Sequence, residues 1–263
     1  MTVEDSLSLI LPVLNERDNL PRLLGEFDAI SHSASSRYFN EVVFVDDGSK
    51  DGTVEFIKNE SKNGHPYSIK LIERNKKMGQ VDACIEGCYE ASNEYVLFMD
   101  ADLQHPPRTI VEMASNLRSD YDFVVASRHV KGGANIWSPL RGVISRTAIL
   151  LSKILIPPSR GLKDPTSGFF IIKKKYVKGL KPLPKCSKLL LYALATHYRL
   201  NGVEIPYVFV DRAVGSSKTV TGNMSFMVNY LIEIVVYMKR YRAIRKVALS
   251  RIASYDSPGD AKT

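Results

Sequence analysis

The sequence predicts an α/β fold: a mostly parallel sheet with helices on both faces, joined by amphipathic helices in the second half. Three observations carry that expectation. Short apolar runs alternate with stretches of helical spacing through the first half of the chain. Each run is bounded by turn-forming or charged residues and is too short to be a helix. Acidic residues follow several of the runs, where open α/β sheets place their ligands.

Leu7–Pro12 reads as the first strand. Asn19–Phe27 follows as a helix, with Leu20, Leu23, Leu24 and Phe27 on one face. Glu41–Val45 and Ile69–Ile72 are the second and third strands. Gly79–Ala91 is helical, with Val81, Ala83, Cys84, Ile85 and Cys88 in its apolar share. Tyr95–Met99 is the fourth strand and Phe123–Ala126 the fifth. Between them, Ile110–Leu117 is a helix after a Pro-Pro start, where proline is tolerated in a first turn.

The second half changes character. Pro139–Leu155 is amphipathic, with Leu140, Val143, Ile144, Thr147, Leu151, Ile154 and Leu155 at helical spacing, and Pro157-Pro158 stops it. Arg141 and Ser145, four residues apart, share a different face of that helix. Beyond Lys218 the chain reads as one or two amphipathic helices and then a polar tail from about Asp256. No internal repeats occur.

The 263 residues suit one large α/β domain with an appendage. A net charge of +8, concentrated late in the chain, points to an anionic partner: nucleic acid, anionic lipid headgroups or a phosphorylated substrate. Nothing resembles an aromatic stacking platform or a groove-reading element, so nucleic acid is not expected. Cys84, Cys88 and Cys186 have no metal-site spacing and read as free thiols of a reducing compartment. The first six residues carry two acids and no basic-then-apolar pattern, so no signal peptide is expected. The longest apolar candidate, Phe226–Met238, falls short of the ~20 residues a spanning helix needs and contains Asn229 and Glu233. A soluble or peripheral protein follows.

Acids recur where the strands should end: Asn15-Glu16 after the first, Asp46-Asp47-Gly48-Ser49 after the second, Asp100-Ala101-Asp102 after the fourth. Such ends converging on one edge would repel without a cation or donors. The Asp-x-Asp pair suits Mg²⁺ or Mn²⁺, which keep substrate phosphates among their ligands. For Asp46-Asp47-Gly-Ser, a strand-ending turn with a helix cap stands as the alternative. The expected arrangement has Glu16, Asp47, Asp100 and Asp102 meeting around one divalent ion.

The series Pro12…Asn15-Glu16…Asn19-Leu20, Val45-Asp46-Asp47-Gly48-Ser49-x-Asp51-Gly52-Thr53 and Asp100-Ala101-Asp102-Leu103-Gln104-His105-Pro106-Pro107 resembles glycosyltransferase family 2. Within it, the match is to the polyprenyl-phosphate hexosyltransferases of the dolichol-phosphate mannose synthase kind. The resemblance continues through Ser127-Arg128…Gly132-Gly133, Arg141…Ser145, Asp164-x-Thr166-Ser167-Gly168, Glu204-Ile205-Pro206 and Asp211-Arg212…Lys218. It implies a GT-A-type catalytic domain over 1–218, with 219–263 as an amphipathic helical extension and tail. The family carries a tyrosine where this chain has Leu14, and a glutamate in the helix that here reads Lys188–Ala193.

By motif, Pro12, Leu14, Glu16, Val45 and Asp47 resemble the pocket for base and ribose. Asp100, Ala101, Asp102 and Gln104 resemble the metal and diphosphate segment, with Asp102 and Gln104 the foremost ligands and Asp100 beside them. Arg128, Arg212 and Lys218 resemble the cations that hold the donor diphosphate and acceptor phosphate, and with Asp102 they form the expected catalytic set. Arg141 and Ser145 fit the acceptor phosphate, since a guanidinium fork and a hydroxyl both donate to phosphate oxygens. His105 reads as a packing or supporting residue.

The resemblance implies transfer of a hexose, foremost mannose from GDP-mannose, to a dolichyl or polyprenyl phosphate. A lipid phosphate is already anionic, so inversion by single displacement needs no general base. It also implies a peripheral enzyme at the cytoplasmic face of a membrane, with small anchoring subunits or a homo-oligomer as further partners. The alternative is a family 2 enzyme building a glycan or glycolipid from a UDP-sugar, which should not need Arg141, Ser145, Arg212 and Lys218 together.

Overall fold

A computed structural model describes residues 7–33, 38–74, 79–118, 120–135, 139–181, 183, 186–197, 199–209 and 223–255. The chain opens with β1 (Leu7–Val13), α1 (Leu20–Ser33), β2 (Phe39–Asp46), α2 (Thr53–Glu60) and β3 (Ser68–Glu73). It continues through α3 (Gln80–Glu90), β4 (Tyr95–Phe98), α4 (Thr109–Ser115) and β5 (Phe123–Ser127). All five expected strands and the three expected helices of this half are present, with ends shifted by a few residues. The helix α2 was not expected, because its eight residues carry only Thr53 and Ile57 as a buried pair.

The later elements are β6 (Ala134–Asn135), α5 (Pro139–Leu155), β7 (Phe170–Lys173), α6 (Lys175–Lys178), α7 (Leu189–Thr196), β8 (Gly202–Pro206), β9 (Val208–Phe209) and α8 (Asn223–Tyr255). Seven strands form one sheet in the order β3-β2-β1-β4-β7-β5-β8, and β6 pairs with β9 in a small second sheet. Every pairing in the large sheet is parallel except those of β7, which runs antiparallel between β4 and β5. The sheet is therefore mostly parallel, as the alternation of elements predicted.

Alternate side chains of each strand feed two cores. Ile10, Val43, Val45, Val96 and Phe98 pack on one side with α3, α7 and α8. Leu9, Leu11, Val42, Phe44 and Leu97 pack on the other with α1 and α4. The chain runs β1-β2-β3 towards one edge and places β4 on the opposite flank of β1, so the strand order reverses between β1 and β4. At Gly87 the helix α3 comes so close to the sheet that a Cβ would lie 2.6 Å from Ile10 Cγ2 and 3.0 Å from Val45 Cγ2.

Of the region after Lys218, the described residues Asn223–Tyr255 form one long helix rather than two. Tyr230, Glu233, Ile234, Tyr237 and Tyr241 form its buried face. Tyr237 stacks on Tyr192 of α7 with ring centroids 5.2 Å apart, and Tyr230 Oη donates to Ala148 O of α5 at 2.9 Å. The other face leaves Val228, Leu231, Ile232 and Val235 exposed. On α5, Val143, Leu150 and Ile154 are exposed too, while Leu151 and Leu155 pack against the core. The apolar stripe of α5 is thus divided between core and solvent. Among the described residues no helix is long and apolar enough to cross a membrane. All three cysteines are buried and unbonded to one another.

Gly87→Val forces two methyls into the contact between α3 and β1. The expected loss is about 1–3 kcal/mol of unfolding free energy, read from the urea midpoint. An unchanged midpoint would show that the helix can lift from the sheet freely.

Candidate active site

The carboxyl ends of β1, β2 and β4 meet where the strand order reverses, the position at which open α/β sheets form a ligand crevice. Residues 14–19 and 47–53 are laced together there. Asn15 N–H donates to Ser49 Oγ at 2.7 Å, and Asn15 Oδ1 accepts from Lys50 N–H at 2.8 Å. Glu16 N–H donates to Thr53 Oγ1 at 3.0 Å, and Arg17 N–H to Asp51 Oδ2 at 3.0 Å. Burial alone would raise the Asp51 carboxyl, but the bonds from Thr53 and Arg17 hold it below its ordinary pKa.

The expected nucleotide residues sit along this edge. Pro12 and Val45 are register partners in adjacent strands, and Leu14 is half-buried just beyond them. Glu16 is buried and accepts from Asn19 Nδ2 at 2.7 Å. Asp46 makes the turn held open as its alternative, with Oδ2 accepting from the N–H groups of Gly48 and Ser49, both at 2.9 Å. Asp47 accepts at Oδ1 from Arg74 Nη1 at 2.9 Å. Arg74 is buried and also pairs with Glu86 at 3.0 Å. Sequence reasoning missed Arg74, because its partners come from β2 and α3 and no local spacing relates them.

The 100–105 segment forms the other side. Gln80 Nε2 donates to Asp100 Oδ1 at 2.6 Å, and Asp102 Oδ1 accepts from Gln104 N–H at 3.1 Å. Asp102 and Ala101 are buried, and Asp100 and Gln104 are half-buried. Leu103 lies in the left-handed region at φ 62°, so the turn carries backbone strain at the site itself. His105 Nδ1 accepts from Asp100 N–H at 3.0 Å, which assigns the ring proton to Nε2. The ring stacks on Phe169 at 5.0 Å, and burial drives its pKa down to about 4. His105 therefore holds the acidic segment in place as a neutral ring.

One expectation is corrected. Among the described residues no three His, Cys, Asp or Glu side chains gather as a metal cluster, so Glu16, Asp47, Asp100 and Asp102 do not meet around one ion. Asp47 instead faces Arg74, and Glu16 faces Asn19. The smaller set of Asp100, Asp102 and Gln104 stays together within one turn. Its oxygen donors suit a hard divalent cation that completes its shell with phosphate and water.

The expected cations fare differently. Arg128 Nε and Nη2 donate to Asp164 Oδ2 and Oδ1 at 2.7 and 2.8 Å, and its N–H adds a third bond at 3.2 Å. Asp164 is fully buried, and its loop is clamped by Glu204, which accepts from the N–H groups of Lys163 and Asp164 at 2.6 and 2.8 Å. Burial would raise the Asp164 carboxyl, yet Arg128 holds it below its ordinary pKa. Gly133 lets the following loop close on this pair, since a Cβ there would lie 2.5 Å from Ser127 O. Ser145 is half-buried on α5. Arg141 lies on the same helix, but its side chain falls outside the described residues, as do Arg212 and Lys218.

The Arg128–Asp164 pair predicts its own rupture. Asp164→Ala leaves a guanidinium buried without its partner, and the expected loss is about 3–5 kcal/mol of stability, measured by denaturant unfolding. Replacing both residues together with a matched apolar pair should recover much of it. A single substitution costing nothing would show that water reaches Arg128 freely.

Residues 8–180 match the Glycosyl transferase family 2 model. The chain is 38% identical over 213 residues to the dolichol-phosphate mannosyltransferase of Pyrococcus furiosus, covering 81% of this chain and 58% of that protein. It thus spans less than two thirds of the length of the archaeal relative. To the dolichol-phosphate mannosyltransferase of Saccharomyces cerevisiae it is 34% identical over 222 residues, covering 80% of each. Glucosyl-3-phosphoglycerate synthase from Mycobacterium tuberculosis, solved with Mn²⁺, UDP-glucose and phosphoglyceric acid, superposes with a TM-score of 0.67 at 17% identity, over 91% of this chain and 82% of that one. That likeness is one of fold.

Proposed function

This chain belongs to glycosyl transferase family 2, and we propose that it transfers mannose from GDP-mannose to a dolichyl or polyprenyl phosphate at a membrane surface. The observation that carries the reading is the placement of the acidic segment 100–104 at the strand-order reversal. The name shared by the archaeal and yeast relatives supports the substrate class. The 1–218 portion acts as the catalytic domain, and 219–263 as its helical extension.

In this reading the base and ribose lie along Pro12, Leu14, Glu16, Val45 and Asp47. Asp102 and Gln104, with Asp100 beside them, hold Mg²⁺ or Mn²⁺, which supplies charge neutralisation to the leaving diphosphate when bound. Gln80 and His105 keep that segment in place. Arg212 and Lys218, by their motif, serve as cations for the donor diphosphate and acceptor phosphate. Arg128 contributes from a fixed position, with two nitrogens committed to Asp164. Arg141 and Ser145 bind the acceptor phosphate. One of its anionic oxygens attacks the anomeric carbon, the bond from that carbon to the diphosphate oxygen breaks, and GDP leaves with the electron pair. Configuration inverts, and no proton need be removed from the nucleophile.

The membrane assignment rests on α5 and α8. Their exposed faces carry Val143, Leu150 and Ile154, and Val228, Leu231, Ile232 and Val235. Lys239, Arg242, Arg245 and Lys246 follow, all exposed on α8. Apolar residues entering the headgroup region with basic residues beside them is the pattern of an interfacial helix.

Label from GDP-mannose should appear in the organic phase when the protein is incubated with dolichyl phosphate and Mg²⁺ or Mn²⁺. Transfer only from UDP-sugars to water-soluble glycans would favour the other family 2 chemistry. Asp102→Asn should lower metal-dependent transfer by more than the ~100-fold reached by outer-shell substitutions, without loss of fold; normal turnover removes the metal assignment. Arg141→Ala should raise the KM for lipid phosphate about 10- to 100-fold and leave nucleotide binding unchanged. Equal loss of both would mean that the acceptor lies elsewhere.

A further inference from the structure

His65 lies between α2 and β3 with a carboxylate at each ring nitrogen. Its Nδ1 stands 2.9 Å from Asp28 Oδ1 of α1, and its Nε2 stands 3.1 Å from Oε2 of Glu60, the last residue of α2. The ring stacks on Tyr67 at 5.3 Å, and the side chain is 10% exposed. Tyr67 in turn packs on Phe27 of α1 and Phe39 of β2, and its hydroxyl donates to Leu24 O at 3.4 Å. The imidazole therefore joins two helices over a fixed aromatic floor.

A carboxylate accepts hydrogen bonds, and a neutral imidazole has one N–H to give. The imidazolium has two, so the charged ring satisfies both partners at once. Two further titratable groups stand beside the pair. His32 Nδ1 of α1 donates to the Asp28 carbonyl at 2.7 Å, and Tyr67 is kept neutral by burial and by the Asp28 charge. Burial works against charge on His65, but the bonds to Asp28 and Glu60 outweigh it and raise its pKa. The sign of the linkage follows. The contribution of the imidazolium is complete below the ordinary histidine pKa and is lost as the pH rises through the raised value.

The two helices that His65 joins both begin at the crevice. α1 follows Glu16 and Asn19, and α2 opens at Thr53, whose Oγ1 accepts from Glu16 N–H at 3.0 Å. Arg17 N–H reaches Asp51 Oδ2 between the same two segments. The helices are thus bonded to each other at their starts, and His65 bonds them a second time further along. We infer that His65 is a proton-operated clasp that fixes α1 against α2 and thereby tightens the nucleotide crevice at their starts. The identity of the nucleotide rests on the glycosyl-transfer reading above. As the pH falls through the histidine range the clasp closes and nucleotide affinity rises; by reciprocity, bound nucleotide raises the pKa of His65.

His65→Gln, which keeps an N–H donor but cannot become a cation, is compared with wild type from about pH 5.5 to about pH 8.5. The imidazole resonance that disappears in the variant should titrate, in wild type, above an exposed histidine. The urea midpoint of wild type should fall relative to that of His65→Gln as the pH rises; midpoints that run parallel overturn the clasp. GDP with Mg²⁺ is then titrated by calorimetry at each pH, and the two proteins are compared in the same buffer so that titration of the nucleotide itself cancels. Wild type should bind GDP about 5-fold more tightly than the variant at the acid end, and the gap should narrow towards the alkaline end. A gap that is constant with pH, or absent, overturns the coupling to the crevice. Asp28→Asn serves where His65→Gln fails to fold: it should lower the His65 pKa and reduce the same pH dependence. A wild type that shows the raised pKa and the falling midpoint yet binds no GDP at any pH overturns the glycosyl-transfer reading and leaves the bond between the helices standing.

Discussion

Carboxylates placed at the ends of neighbouring parallel strands repel one another, and the structure around the crevice is organised to offset that repulsion. Asp47 has Arg74, Asp100 has Gln80, and Asp164 has Arg128. Asp46 turns its charge onto two backbone N–H groups. The short run 100–104, proposed above to hold a cation, places carboxylate and amide oxygens within one strained turn. Buried pairs of this kind contribute little net stability compared with apolar packing, yet removing one partner is costly. Their effect is to hold the loops in one arrangement.

That arrangement depends on the close approach of α3 to the sheet. Gly87 permits the contact with Ile10 and Val45, and the same helix then presents Gln80 to Asp100 and Glu86 to Arg74. Packing at the middle of the helix therefore determines electrostatics at its start. The antiparallel strand β7 plays a similar part on the far side. Phe169, immediately before it, stacks on His105, and the 164–168 turn leading into it carries the partner of Arg128.

The C-terminal helix is joined to α7 and α5 by specific bonds rather than by apolar area alone. Glu233 accepts from the N–H groups that open α7, an anion at a helix start with donors already pointing at it. Tyr237 stacks on Tyr192 in the middle of α7. A helix anchored this way cannot shift without disturbing the start of α7. The exposed apolar faces of α5 and α8 are separate from these contacts.

The alternation of short apolar runs and helical stretches made the five early strands, the helices α1, α3, α4 and α5, and the mostly parallel sheet legible in the sequence. Those signals are local, since hydrophobic periodicity reports which face of one element is buried. The acidic strand ends were legible for the same reason: a parallel sheet places them on one edge whatever the side chains do there. Tertiary structure alone decided how those acids are partnered, because Arg74 meets Asp47 across 27 residues and Arg128 meets Asp164 across 36. It also decided the antiparallel insertion of β7, and that Glu233 reaches back to Ser187 and Lys188. Charge pairing acts through space, and a chain read in order carries no signal for which of its cations will fold beside which acid.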